Sequence, residues 1–388
     1  TGSEDHRSAH GRPDMVEIAD IFRCYGPQYR AKYGDKILPS HRQAMGALER
    51  CRTAALGGHV YSCESCDETQ YQYHSCRNRH CPKCQNDKAQ KWLEKQQDLL
   101  LPVPYFLLTV TLPSQLRHVT RRHQKQVYDL FFRISAAAMQ HLARDSRLVG
   151  GQMGMVGVLH TWGRNLSYHP HIHFLIPGGG LAADGRTWLP SRNRFLLPVK
   201  ALSRIVRAKF RDALRQTSLF DLVPASVWQQ AWVVHCQPVG NGLTALKYLA
   251  PYIFRVAISN NRILELAERR VTFRYRASET GKLRTCTLPA KEFIRRFLQH
   301  VLPKGFVKVR YYGFLASGCR KRLASIRQQL DNPPADQSPD FDDGTDAELQ
   351  PDEPPEHDPA PKPVLLCPSC GQVMLRRPIP RPQGRCPP

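Results

Sequence analysis

The sequence predicts an α+β protein: a domain built on a central antiparallel sheet with flanking helices, preceded by a cysteine-rich zinc-binding domain. Three observations predict it. Residues 156–161 and 171–176 are short apolar, β-branched runs joined by a polar loop, each followed by Gly or Pro, as in a hairpin of two strands. Further strand-like runs at 105–112 and 232–236 alternate with helical stretches at 121–144 and 201–215, an order that suits a sheet covered by helices. Ahead of them stands Cys63-x2-Cys66-x14-Cys81-x2-Cys84, in which two Cys-x-x-Cys pairs can turn four thiolates toward one tetrahedral Zn²⁺.

Taken in order, residues 1–50 read as a basic helical N-terminal arm, with helices near 15–33 and 41–51. Tyr25, Tyr29 and Tyr33 are spaced by four, but Gly26-Pro27 predicts a break between them. The zinc-binding domain spans 51–101. Its first site is Cys63, Cys66, Cys81 and Cys84, and the remaining Cys51, His59, Cys76 and His80 make up a second four-ligand set. Arg77, Asn78, Arg79 and Lys83 lie between these ligands as a cationic rim for phosphates. Closed structural zinc sites leave no open coordination position, so this module is assigned to folding and DNA contact. A helix at 86–101 ends before Pro102 and Pro104 and leads into the sheet domain at 102–265.

Within 243–262, Tyr248 and Tyr252 would share one face of a helix, with Pro251 kinking or ending it. The same Tyr-x-x-x-Tyr spacing occurs at 25/29 and 29/33, so pattern alone does not choose among the pairs. Residues 266–330 form a basic β-hairpin and helix extension for DNA binding. There Arg270 to Arg276 alternates apolar and basic side chains and carries Arg274 and Arg276 on one wet face. An acidic, Pro-rich disordered linker is expected at 331–366, and a cysteine-containing tail with Cys367, Cys370 and Cys386 at 367–388.

Charge narrows the class of partner. The chain carries a formal +23, and its first 330 residues hold 51 basic against 22 acidic side chains, a net of +29. An excess of that size points to a polyanion, most simply nucleic acid. No run approaches the 18 apolar residues of a membrane span. The polar opening, Thr1-Gly2-Ser3-Glu4-Asp5-His6, does not read as a secretory leader. Thirteen cysteines in that setting indicate metal ligation in a reducing compartment.

On the second strand of the hairpin, alternation puts His171, His173 and Leu175 on one face and Ile172, Phe174 and Ile176 on the other. Two imidazoles on one face can converge on a cation, and His160 on the neighbouring strand is the candidate third ligand, with His169 as an alternative. A structural histidine cluster explains the bare pattern equally well in a chain with 16 histidines.

The His-hydrophobe-His strand resembles that of the HUH single-strand endonucleases, and the spacing His160-x10-His171-x-His173 is similar to the three-histidine arrangement of relaxases. Several unlike motifs in order extend the likeness from about residue 35 to 330. They are Cys-Arg-Asn-Arg-His-Cys-Pro-Lys-Cys (76–84), Leu-His-Thr-Trp-Gly (159–163), His-Pro-His-Ile-His (169–173), Pro-Gly-Gly-Gly (177–180) and Tyr-Leu-x-x-Tyr-x-x-Arg-Val-Ala-Ile-Ser-Asn (248–260). Together they resemble the two-tyrosine rolling-circle transposases of the insertion sequence 91 family. The resemblance implies Tyr248 and Tyr252 as catalytic nucleophiles, Arg255 near DNA, and Mg²⁺ or Mn²⁺ on His160, His171 and His173. It also implies cleavage and strand transfer of single-stranded DNA through a 5′-phosphotyrosine, acting on element ends and target DNA in the bacterial cytoplasm at the nucleoid. No Walker motif is present, so a host helicase is the expected source of strand separation. A replication initiator or relaxase shares this chemistry, and a zinc-dependent DNA-binding regulator with inert histidines is the rival outside the enzymes.

Overall fold

The computed structural model describes residues 16–84, 94, 96–97, 99–244, 246, 257–277, 280–319, 321–331 and 365–382. Tyr248, Tyr252, Arg255, Cys386, most of the expected helix at 86–101 and the acidic stretch 332–364 lie outside the described residues. The described chain packs as two units, one holding residues 16–49 and 76–331, the other 50–75 and 365–382. This division departs from the expected borders. The stretch 51–101 is split after Ser75, and the tail belongs with the cysteine-rich segment.

The chain opens with α1 (Ile18–Tyr33), which runs unbroken through Gly26-Pro27, where the sequence predicts an interruption. Pro27 withholds one backbone hydrogen bond. Against that loss, Ile18, Ile21, Phe22 and Tyr29 are buried, and Phe22 meets Phe297 edge to face at 5.3 Å. Tertiary packing outweighs the local cost. After α2 (Pro39–Arg50) come β1 (Gly58–Ser62), β2 (Thr69–Tyr73), β3 (Tyr105–Thr111), α3 (Arg117–Arg122) and α4 (Gln124–Ala143). Next are β4 (Met155–Trp162), β5 (Tyr168–Pro177), β6 (Gly179–Leu181), β7 (Trp188–Pro190), α5 (Val199–Arg215), α6 (Ser226–Gln229) and β8 (Val234–Pro238). The chain continues with β9 (Ile263–Ala267), β10 (Arg270–Arg276), β11 (Leu283–Pro289), α7 (Ala290–Leu298), β12 (Val309–Tyr312), α8 (Lys321–Asp331) and β13 (Leu375–Ile379). Among the described residues no helix is long and apolar enough to cross a membrane.

In the larger unit an antiparallel five-stranded sheet has the order β12-β4-β5-β3-β8. Its two faces have different roles because strand side chains alternate. Phe106, Leu108 and Val110 of β3 join Ile172, Phe174 and Ile176 of β5 in a core with Phe131, Phe132 and Phe210 from α4 and α5. Each large side chain fully buried there contributes roughly 1.5–3 kcal/mol. Gly157 of β4 belongs to this face, where a Cβ would come within 2.7 Å of the Phe174 ring, so only glycine lets the ring lie across the strand. The opposite face is itself divided. One end is apolar, with Leu107, Val156, Val158 and Leu175 packed with Leu323 and Ile326 of α8. The other end carries the histidines. Beside this sheet, β11-β10-β9 forms a second antiparallel sheet. Its Val271 and Phe273 are buried, with Phe273 5.9 Å from Phe293 of α7, while Arg270, Arg274 and Arg276 are exposed.

In the smaller unit β13 and β2 flank β1, all antiparallel. The C-terminal tail thus supplies a strand to a sheet begun by the cysteine-rich segment.

Candidate active site and zinc centres

Register brings the three histidines together. His160 of β4 is paired directly with His171 of β5, and Val158 with His173, so all four share a face. A bulge follows between His160 and Trp162. The ring centroids lie 5.4 Å apart for His160 and His171, 4.8 Å for His160 and His173, and 4.8 Å for His171 and His173. One ring nitrogen from each falls within 4.8 Å of the others. His169 shares the β5 face but is not in this group; the Arg117 guanidinium stands 3.4 Å from its Nδ1. A fixed positive charge there disfavours a bound cation.

The two β5 histidines are held from behind. His171 Nδ1 donates to the His169 carbonyl at 2.7 Å, and His173 Nδ1 lies 2.8 Å from Thr109 Oγ1 on β3. Such bonds fix ring orientation and tautomer and assign coordination to Nε2. Burial drives the His171 pKa down to about 4 and the His173 pKa to about 3. Both are therefore neutral at pH 7, the form that coordinates metal. His160 is 2% exposed and stacks on Trp162 at 4.9 Å. Lys308 Nζ sits over the Trp162 ring, 5.0 Å from its centroid, with its pKa lowered by burial to about 7. His300 bonds Thr161 Oγ1 at 3.2 Å and the Leu166 carbonyl at 3.3 Å. Thr109, His300 and Lys308 are absent from the sequence reading. For Thr109 the only available signal is its alternation on β3, which becomes informative once the Thr109–His173 pairing is known.

The cysteines divide differently from the expected sets. Cys63 and Cys66 stand with Cys367 and Cys370, not with Cys81 and Cys84. Cys81 and Cys84 group instead with Cys76. The physical reason lies in the turns. Cys63-x-x-Cys66 is the hydrogen-bonded turn of the β1–β2 hairpin, whereas residues 82–84 are helical, with the Cys84 sulfur 3.6 Å from that of Cys76. Neither histidine of the expected second set is in a cysteine group. His59 Nε2 lies 2.6 Å from an Arg376 guanidinium nitrogen. His80 is half-buried and its Nε2 accepts from the Leu302 amide at 3.3 Å; desolvation, aided by Arg79, lowers its pKa to about 3.

Two of the expected phosphate contacts also turn inward. Arg79 donates to the Phe306 and Pro303 carbonyls at 2.7 Å each, tying the cysteine turn to the chain before β12. Lys83 is ion-paired with Glu17. A basic residue between metal ligands is close to the protein's own carbonyls and carboxylates, and these two are held by them. Arg77 remains exposed, as do Arg274 and Arg276 on β10. Of the rival tyrosines, Tyr29 is 7% exposed, packs on Tyr33 at 4.6 Å, and has its pKa raised by burial.

Comparison with known proteins gives this arrangement a family. Residues 154–322 match the family model described as "Putative transposase", and residues 21–112 match the "Transposase zinc-binding domain" model. The chain is 40% identical over 335 residues to "Putative transposase y4qJ" of Sinorhizobium fredii, covering 81% of this chain and 84% of that one. The chain belongs to the insertion sequence 91 family of transposases. A second relative, "Transposase for insertion sequence element IS801" of Pseudomonas savastanoi pv. phaseolicola, is 28% identical over 298 residues, 72% of each chain. No solved structure matches. The transposase is therefore a DNA transposase of a rolling-circle insertion sequence. Its zinc-binding domain and cysteine groups make Zn²⁺ a cofactor.

Proposed function

We propose that the transposase cuts and rejoins single-stranded DNA at the histidine site, with Tyr248 and Tyr252 as nucleophiles and a 5′-phosphotyrosine as intermediate. The observation that carries this reading is the convergence of His160, His171 and His173, two of them oriented through Nδ1. A neutral three-imidazole group suits a divalent ion, Mn²⁺ better than the harder Mg²⁺. When bound, the ion would withdraw charge from an oxygen of the scissile phosphate.

The chain's own groups do the rest. Thr109 and the His169 carbonyl hold the imidazoles in place, and the adjoining Trp162, with Lys308 over its ring, gives the site an aromatic wall. A tyrosine hydroxyl, whose pKa is ordinarily near 10, gives up its proton and attacks phosphorus. The bond to the 3′ oxygen breaks, that oxygen takes up a proton, and the 5′ phosphate remains esterified to tyrosine. The reverse attack by a 3′-OH restores the phosphodiester and the tyrosine, so rejoining needs no ATP. With two tyrosines, one holds the donor strand while the other opens a second. The burial of Tyr29 supports this pair over the tyrosines of α1. Exposed Arg77, Arg274 and Arg276 are surface contacts available to DNA, and a host helicase would open the duplex.

Incubation with labelled single-stranded element ends and Mn²⁺ tests this reading. Wild-type protein is expected to form a covalent adduct. At least one of Tyr248→Phe and Tyr252→Phe should still form it, and the double variant should form none. A DNA-linked peptide containing Tyr25, Tyr29 or Tyr33, and never residues 248–252, would overturn the assignment.

A further inference from the structure

We propose that Cys367 and Cys370 are half of a structural zinc site whose other half is Cys63 and Cys66, so that one ion fastens the tail to the cysteine-rich hairpin. The zinc-binding family match ends at residue 112 and leaves the tail out. This inference does not rest on the nuclease chemistry.

The two halves are built alike. In each, the amide of the first cysteine donates to the carbonyl five residues on: Cys63 to Glu68 at 2.9 Å, Cys367 to Gln372 at 2.8 Å. In each, the residue after the second cysteine takes a left-handed conformation, Asp67 at φ 56° and Gly371 at φ 74°. In each, a β pairing closes the turn, Ser62 with Thr69 and Leu366 with Val373. Two such knuckles, each presenting a pair of thiols, face one another. Cys63 and Cys370 sulfurs are 3.4 Å apart, Cys66 and Cys367 3.4 Å, and Cys66 and Cys370 3.6 Å. A tetrahedron with Zn–S bonds of about 2.3 Å has edges near 3.8 Å, so the four sulfurs need move only a few tenths of an ångström. Four soft sulfurs select Zn²⁺ over the hard cations.

The smaller unit needs such a fastening. Its described parts are 26 and 18 residues long. Among the described residues its buried apolar cluster is Cys63, Cys367 and Met374, with Tyr61 packed against it. A core that small does not support a fold by burial, and a lone two-stranded hairpin is marginal at best. The ion supplies the missing stabilisation and lays β13 along β1. Docking of β13 also brings Arg376 opposite Tyr61 and against His59, so the cationic character of that face depends on the metal.

The test uses the full chain with a site-specific protease sequence inserted within residues 340–350. After cleavage the C-terminal fragment should stay bound in native mass spectrometry, with zinc, and should leave on addition of a chelator. Cys367→Ser/Cys370→Ser should release the fragment on cleavage without chelator and lower zinc content by one ion per chain. Cys63→Ser/Cys66→Ser should do the same, and Cys386→Ser should not. Unchanged tryptophan fluorescence would show that the larger unit, which holds Trp162, Trp188, Trp228 and Trp232, still folds in these variants. Release of the fragment from zinc-loaded wild type, or unchanged zinc in the Cys367→Ser/Cys370→Ser variant, would overturn the proposal. So would release by reductant alone, which would mark a disulfide.

Discussion

His160, His171 and His173 span 14 residues and meet across two adjacent strands of one sheet. Cys66 and Cys367 meet across 301 residues, through a strand that the end of the chain adds to a hairpin near its start. Closing a loop of about 300 residues rather than about 13 costs roughly 3 kcal/mol more in chain entropy. A structural zinc offers about 10–16 kcal/mol, so a metal readily supports the distant closure. The histidine site has no such need, because the sheet's apolar face fixes its register before any ion arrives. On the proposed readings, one region is a preformed site for a metal, and the other is a segment whose fold depends on one.

The largest effect expected from this contrast is on the histidines. His171→Ala/His173→Ala should lower the rate of single-strand cleavage at least about a thousandfold, the loss of several kcal/mol of charge stabilisation. Zinc content and the far-ultraviolet spectrum should stay at wild-type values. Loss of zinc from that variant would show that the two regions are not independent.

A smaller effect is expected behind the site. Thr109→Val keeps the shape of the side chain but removes the oxygen 2.8 Å from His173 Nδ1. The Mn²⁺ requirement for cleavage should rise about 10–100-fold, with the rate at saturating Mn²⁺ much less affected. An unchanged Mn²⁺ dependence would mean that Thr109 does not position the ring.

The smallest effect is a slope. Burial lowers the His300 pKa to about 4, against 6.5 for an exposed histidine. The unfolded chain therefore binds more protons between those values. Stability from this residue is complete above pH 6.5 and falls as pH drops toward 4, with a slope of at most about 1.4 kcal/mol per pH unit. His41 is depressed in the same direction, also by burial, and adds to the slope. Denaturant midpoints followed by tryptophan fluorescence from pH 7 to 5 should fall in wild type and fall less steeply in His300→Gln. Parallel slopes would show that His300 is not a source of the dependence.

Legibility follows the same contrast. The facing of His171 and His173 could be read from sequence because a strand has a period of two and Ile172, Phe174 and Ile176 mark the buried side. The course of α1 through Pro27 could not, because the residues that hold it include Phe297, about 270 positions away. Arg79 and Lys83 look like phosphate contacts in sequence, since nothing local shows the carbonyls of Pro303 and Phe306 or the carboxylate of Glu17 that engage them.

By itself the sequence determined the class of the protein: the α+β layout, the histidine strand, the supply of thiolates and the charge suited to DNA. These are local or compositional properties, carried by periodicity and residue type. Only the tertiary structure decided which thiolates stand together. Three Cys-x-x-Cys pairs are chemically equivalent, and spacing alone favoured the nearest two. The hairpin turns at Cys63 and Cys367 match each other, whereas the helical turn at Cys81 does not. The strand pairing of β13 with β1 then brings the matching pair together.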